Sequence, residues 1–444
     1  MIRYYLSQTL CVCILLLTVV LLPASEYYIA TTGNDKNAGS FAAPFASIMR
    51  AQQTAIPGDT IFIRGGTYRM NESQIAQCQR GRAQVITFHK SGEPNKLIHY
   101  VAYQNEHPIF DFSEVKPVGL RVYAFYVTAS YIHLKNIAII GVQVTITGHT
   151  QSVCVDNEGS HNIYDTLQMH DGQAIGFWLG RGSNNLVLNC DAYRNYDCTS
   201  ETKRGGNVDG FGFHVPSGSV NNIFRGCRAW FNSDDGFDLI NTREAVLIEN
   251  CWAFYNGYEK GFIARGDGNG FKLGGYGVDS KSTLPNKIPR HVIRRSLAVR
   301  NRASGFYANH QPGGIDFIHN TAYLNGVNFN LLGRNEEHTA DVPGYDHVMI
   351  NNLGYKGRRE VASLNMESGD VKKDYFSQSW KLRDDLFESL DDAELMKSRQ
   401  ANGELPEIPL MRLKAGNPAI DHGVDLHQPF HGKAPDFGAF ESGK

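Results

Sequence analysis

The stretch "NCWAFYN", residues 250–256, recurs in altered form along the middle of the chain. Laid over one another, "NCDAYRN" (189–195), "GCRAWFN" (226–232), "NCWAFYN", "RSLAVRN" (295–301) and "HNTAYLN" (319–325) share a central Ala and a closing Asn. That Asn stands at 195, 232, 256, 301 and 325, so the steps are 37, 24, 45 and 24 residues. The two short steps give the basic unit. The two longer ones carry inserts, "DCTSETKRGG" (197–206) and "YGVDSKSTLPNKI" (276–288). A short period of β-branched, aromatic and small residues, without a long amphipathic helix, marks a stacked β solenoid.

Runs such as Asn222–Phe224 and Val246–Ile248 read as short strands, with Asn and Gly at the corners. Equivalent residues on successive coils then lie one strand spacing apart, about 4.8 Å, in parallel register. Columns of the alignment become ladders in space. The column Cys190, Cys227, Cys251 reads as small buried filling, with a disulfide between rungs as the other possibility. The Asn column reads as a stack of amides bonded along the solenoid axis and is left out of the site. An open solenoid exposes its end rungs. Near the N-terminus "PFASIMRAQQTAI" puts Phe45, Ile48, Met49, Ala55 and Ile56 on one helical face, a short capping helix, followed by the strand "DTIFIRGGTY". The expected organisation is one all-β solenoid domain over 26–444, with its clearest coils at 162–355 and a loop-rich C-terminal tail, 356–444, laid back on it.

The balance of 43 Lys+Arg against 45 Asp+Glu suggests neither nucleic-acid electrostatics nor a polybasic membrane surface, so a charged partner must be met locally. Residues 1–25 stand apart: Arg3, the apolar run "LCVCILLLTVVLL" and the small residues "PAS" form an export signal, an uncleaved anchor being the alternative. No later segment reaches spanning length. The expectation is a monomer, secreted to the extracellular space or periplasm after cleavage.

The repeat continues into a Gly-Phe pair: "DGFG" (209–212), "DGFD" (235–238), "NGFK" (269–272) and "SGFY" (304–307). One column therefore holds Asp209, Asp235, Asn269 and Ser304, and another Gly212, Asp238, Lys272 and Tyr307. Asp209, Asp234, Asp235 and Asp238 then share one patch. At about 5 Å each pair repels by roughly 3 kcal/mol at an effective dielectric near 20. A hard cation removes that repulsion, and Ca²⁺, with six to eight oxygens in flexible geometry, suits carboxylates gathered from two strands better than Mg²⁺. A solvated acidic turn is the bland account of "SDDG" taken alone, but not once Asp209 joins it from the coil before. Lys272, in the metal column, is a candidate Brønsted base whose pKa a bound cation would lower. Cation, base and acidic groove suggest proton abstraction α to a uronate carboxylate followed by β-elimination.

With "NVDGFGFH", "FNSDDGFDLI" and "GNGFKLGG" in that order, and "YYIATTGNDKNAGSFAAPFASI" and "PGDTIFIRGGTY" at the start, nearly the whole mature chain resembles the family 9 polysaccharide lyases, of pectate lyase and rhamnogalacturonan lyase type. The resemblance implies a right-handed parallel β-helix that cleaves acidic, pectic plant cell-wall polysaccharide, polygalacturonate or rhamnogalacturonan I. By motif match it also implies Ca²⁺ at Asp209, Asp234, Asp235 and Asp238, with Lys272 as base. Arg265, just before the Lys272 motif, and Arg302, on the next coil, are candidate substrate-binding residues, the alternative being ordinary surface arginines. Two other readings share the architecture. A pectin hydrolase would use Asp pairs around a water, which leaves Lys272 without a role. A carbohydrate-binding solenoid without catalysis would use the cation structurally.

Overall fold

The computed structural model describes residues 24–443 except 202, 278–280, 282, 283, 368 and 369. Most of residues 1–25, read above as an export signal, and part of the second insert lie outside the described residues. Among the described residues no helix is long and apolar enough to cross a membrane.

Three sheets, of twelve, ten and eleven strands among the described residues, form the walls of a parallel β-helix. Neighbours in each wall are equivalent segments of successive coils. In the twelve-stranded wall, Val246–Glu249 pairs in parallel with Asn222–Arg225 on one side and Val292–Arg294 on the other. In the ten-stranded wall Ala192, Ala229, Ala253, Ala298 and Ala322 are in direct register, as the repeat requires. The stack begins at Glu26–Ile29 and continues to Asp370–Lys372, so coils extend beyond 162–355 at both ends.

What turns the corners is visible in the backbone. The residue before each Asn of the repeat, Arg194, Phe231, Tyr255, Arg300 and Leu324, is left-handed, with φ between 49° and 59°. That region is unfavourable for bulky L-residues. The Asn stack offsets the strain. Asn195, Asn232, Asn256, Asn301 and Asn325 are at most 2% exposed, and each Nδ2 donates to the Oδ1 of the next at 3.0–3.2 Å. The amides also serve the backbone: Asn256 Oδ1 accepts from Asn232 N, and Asn256 Nδ2 donates to Ala229 O at 3.0 Å. Reading this column as structural is therefore borne out. A second amide stack, Asn162, Asn185 and Asn222, stands at another corner and has no counterpart in the "NCWAFYN" alignment.

Inside, Phe211, Phe237, Phe271, Phe306 and Phe329 stack face to face with centroids 4.8–5.1 Å apart. Such offset aromatic contacts add to the hydrophobic burial itself. The Gly before Phe211, Phe237, Phe271 and Phe306 is required by close approach: a Cβ on Gly236 would sit 2.5 Å from Gly270 O and 2.9 Å from Asn256 Nδ2. Cys190, Cys227 and Cys251 are fully buried free thiols, in keeping with the filling role rather than the disulfide.

The N-terminal helix is shorter than its apolar pattern suggests, Ile48–Thr54, with Ser47 Oγ accepting from Arg50 N. Phe45 precedes it in a bridge to Ile29, and Ile56 is 39% exposed because the chain leaves the helix at Ala55. "DTIFIRGGTY" is two strands, Thr60–Ile63 and Gly66–Asn71, which join different walls on either side of a turn at Arg64-Gly65.

The tail lies back on the solenoid. Arg399 and Arg228 converge on the buried Asp191 at 2.6 and 2.8 Å, Tyr255 Oη donates to Asp392 O, and Gly438 N donates to Asn351 O. Removing one partner of such a buried pair costs about 3–5 kcal/mol.

Replacing Asn256 by Ala leaves Asn232 N without its acceptor, takes one of two acceptors from Asn232 Nδ2, and removes the donor to Ala229 O. At about 1–3 kcal/mol for each buried group left unpaired, the variant unfolds at a clearly lower temperature by circular dichroism. The exposed Asn105→Ala stays within about 0.5 kcal/mol of the parent.

Candidate active site

The site is built on consecutive rungs of the eleven-stranded wall: Phe211–Phe213, Phe237–Asp238, Phe271–Lys272 and Ser304–Tyr307. Each Phe points into the core, so the residue after it points out. Register pairs Gly212 with Asp238, Asp238 with Lys272, and Lys272 with Tyr307. The column read from the sequence is thus the column in space.

The residues before the Gly-Phe pairs form a second ladder. Asp235 N donates to Asp209 Oδ1 at 3.1 Å, Asn269 N and Nδ2 donate to Asp235 Oδ1 at 2.6 and 2.9 Å, and Ser304 N donates to Asn269 Oδ1 at 3.1 Å. Asp234 Oδ1 accepts from Asp267 N at 2.7 Å. Each carboxylate is thereby held by one oxygen. Asp209, Asp234 and Asp235 are all buried, and ligand oxygens from the three lie within 4.8 Å of one another.

Lys272 completes the group. Its Nζ is 3.1 Å from Asp238 Oδ2 and 3.2 Å from Asp235 Oδ2, a buried oxygen that pairs with this ammonium. Asp238 stands apart from the trio. Its Oδ1 accepts from Ile240 N and its Oδ2 faces Lys272, so it bridges the acidic cluster to the ammonium.

Burial, reinforced by the charges of the neighbouring carboxylates, pushes Asp209 and Asp234 well above the ordinary carboxylate range, and burial raises Asp235 despite the opposing charge of Lys272. Burial alone would lower the Lys272 ammonium, yet Asp238, Asp235, Asp209 and Asp234 together raise it well above the ordinary lysine value. This is opposite to the lowering expected beside a bound cation, because here the carboxylate charge acts on the ammonium directly. The oxygen-only donor set of Asp209, Asp234 and Asp235, gathered within 4.8 Å, fits a hard divalent cation.

The two arginines are engaged within the protein. Arg265 pairs with Glu259 and stacks over Tyr196 at 4.4 Å. Arg302 Nη1 donates to Gly266 O at 2.6 Å, bracing the segment that presents Asp267 and Asn269. Asn269 was visible in the alignment column but carried no assignment. Asp267, whose backbone fixes Asp234, gave no signal beyond its place in "GDGNG". Also unassigned were Trp178, one rung before Gly212, and His214, whose ring lies 4.2 Å from that indole.

Known proteins resemble the chain along most of its length. A family model described as "Pel9A-like, right handed beta helix region" matches residues 27–347. Pectate lyase L of Dickeya dadantii (strain 3937) is 37% identical over 94% of this chain and 90% of its own length. A solved rhamnogalacturonan lyase is 44% identical, covering 88% of this chain and 97% of that one, with a TM-score of 0.86. The crystal structure of pectate lyase Pel9A is 34% identical over 94% and 96% of the two chains, with a TM-score of 0.76. With the match spanning most of the coils, and the register of the acidic ladder and Lys272 in place on them, the chain belongs to the Pel9A-like right-handed β-helix family, the family 9 polysaccharide lyases.

Proposed function

We propose that this polysaccharide lyase cleaves galacturonate-containing pectic polysaccharide by Ca²⁺-dependent β-elimination, with Lys272 as the base. The observation that carries the reading is the position of Lys272 Nζ, 3.1–3.2 Å from Asp238 and Asp235 at the edge of a buried three-carboxylate cluster. The names of the relatives, pectate lyase and rhamnogalacturonan lyase, support the substrate class.

Asp209, Asp234 and Asp235 would hold the ion, with Asp238 beside them. When bound, Ca²⁺ neutralises carboxylate charge in the site and on the substrate, which makes the uronate C5 proton more acidic. With the acidic cluster neutralised, the carboxylate charge that raises Lys272 would be offset, and burial, which lowers an ammonium, would favour the neutral amine. The neutral amine then takes the C5 proton. The C5–H electron pair becomes the C4=C5 double bond, the C4–O bond breaks, and water protonates the departing oxygen. Asp238 orients Nζ from one side while the Asn269 amide fixes Asp235. Arg265 and Arg302, engaged with Glu259 and Gly266 O, are assigned to holding the 257–269 segment rather than to gripping a uronate. Residues 1–25 are assigned to export, which N-terminal sequencing of the exported protein tests.

Lys272→Ala should lower the rate of unsaturated product, followed by ultraviolet absorbance on polygalacturonate or rhamnogalacturonan I, by about 10²–10⁴-fold. Chelation should abolish it in the parent. Absorbance that persists in the variant removes Lys272 from the chemistry, and reducing ends without absorbance would mean hydrolysis.

Asp209→Asn keeps the acceptor for Asp235 N and deletes one charge. A carboxyl with a raised folded-state pKa costs no stability below its ordinary value near 4, and costs progressively more as pH rises above it. In chelator at pH 7 the variant should therefore unfold at a higher temperature than the parent, the advantage vanishing as pH falls through about 4. Added Ca²⁺ at about 100 times its dissociation constant should stabilise the parent by about 2.7 kcal/mol and the variant by much less, read by thermal unfolding.

A further inference from the structure

The outward ladder that carries Asp238 and Lys272 continues on the other side as Gly212, Trp178 and Asp156, rung by rung. Gly212 gives the Trp178 side chain room to lean toward Asp238: a Cβ there would lie 2.6 Å from Trp178 Cε3. The indole thus covers the rung between its own and that of Asp238. His214 fixes it from the side, with ring centroids 4.2 Å apart and planes 31° apart. Burial holds that imidazole neutral, its pKa pushed down to about 4. Clamped in this way, the indole is half-buried rather than part of the core. One rung, about 4.8 Å, is comparable to the length of one pyranose residue in an extended chain. A polysaccharide laid along the axis with a uronate at the acidic cluster would therefore set its next residue over Trp178.

The surroundings of that indole are acidic. Asp156 is 2% exposed, and its Oδ1 has no hydrogen-bonding partner among the described residues. It borders the gap left by Gly180 together with Trp178 Nε1, at 3.3 and 3.1 Å from the place a Cβ would take. The nearby cation is already shared: Arg82 Nη1 lies 4.0 Å from Asp156 and 3.8 Å from Glu158, with its guanidinium over Tyr123. Burial pushes the Asp156 carboxyl up to about 7, so at and above neutral pH a second uronate over Trp178 would bring a carboxylate between a substantially ionised Asp156 and Asp238, at a Coulomb cost a neutral sugar does not meet. The C–H face of a neutral sugar suits the flat apolar ring, with hydroxyls left for the unpartnered oxygen.

We propose that Trp178, clamped by His214 over Gly212, is the floor of a subsite for an uncharged sugar adjoining the uronate at the acidic cluster, and that the enzyme prefers a backbone alternating uronate with neutral residues over an all-uronate chain. This rests on the β-elimination reading and names its substrate more narrowly. The test compares kcat/KM on the rhamnogalacturonan I backbone and on polygalacturonate, with saturating Ca²⁺, for the parent, Trp178→Ala and Trp178→Phe. The parent should favour the alternating polymer by about tenfold or more, and Trp178→Ala should shrink that ratio by about tenfold. Trp178→Phe should restore most of it, and the Ca²⁺-induced rise in unfolding temperature should persist in both variants. A parent that prefers polygalacturonate, or a ratio that Trp178→Ala leaves unchanged while both rates fall together, overturns the subsite. Absence of unsaturated product from the parent on both polymers would instead bring down the β-elimination reading itself.

Discussion

A side-chain oxygen on one coil accepting a backbone N–H from the neighbouring coil is the bond on which this molecule depends, and it is used in two places with opposite polarity. In the amide stack the N–H of the earlier coil donates forward, as from Asn256 N to Asn301 Oδ1. In the acidic ladder the N–H of the later coil donates back, as from Asp235 N to Asp209 Oδ1. The first stack fixes a corner where bulky residues sit at positive φ. The second fixes carboxylates that would otherwise repel one another apart. Because both are tied to the main chain of adjacent rungs, the spacing of the site is set by the sheet and not by side-chain packing alone.

The site stores electrostatic tension in an otherwise neutral stack. Above and below it the same positions carry Ser304, Asn330, Gly212 and Trp178, and in the outward ladder acidity returns only at Asp156, two rungs before Gly212. Buried carboxylates with raised pKa values and a lysine pulled in the same direction are the pattern of groups whose protonation responds to one added charge. Elsewhere buried charge is quenched within the chain, as where two arginines close on Asp191 and pin the tail.

The repeat made the fold legible because a single in-register column predicts every neighbour at once. Asp238, Lys272 and Tyr307 were placed correctly from "DGFD", "NGFK" and "SGFY" for that reason. What stayed hidden lay where the columns were not aligned. Trp178 belongs to the same ladder, but its coil reads "IGFWL", with no Asp before the Gly-Phe to flag it. Chain proximity to the Lys272 motif marks Arg265 and Arg302 but does not show that they pair with Glu259 and Gly266 O. The N-terminal helix was drawn too long because an apolar spacing persists into flanking bridge and turn residues that bury the same core. The direction of the lysine shift could not be read from sequence at all, since it depends on whether the surrounding carboxylates are charged or neutralised.

Two of the stacked asparagines are followed by glycine, Asn256-Gly257 and Asn325-Gly326. In a mobile loop that dipeptide is the one most prone to spontaneous deamidation, because the glycine nitrogen can fold back onto the side-chain amide carbon. Here Asn256 and Asn325 are fully excluded from solvent, and Gly257 N and Gly326 N are engaged with Asn232 O and Asn301 O. The attacking nitrogen is held away and the amide is locked in its stack. The corner that gives the coil its shape therefore also slows chemical ageing, so the fold keeps its charge-free interior for as long as the coils remain closed.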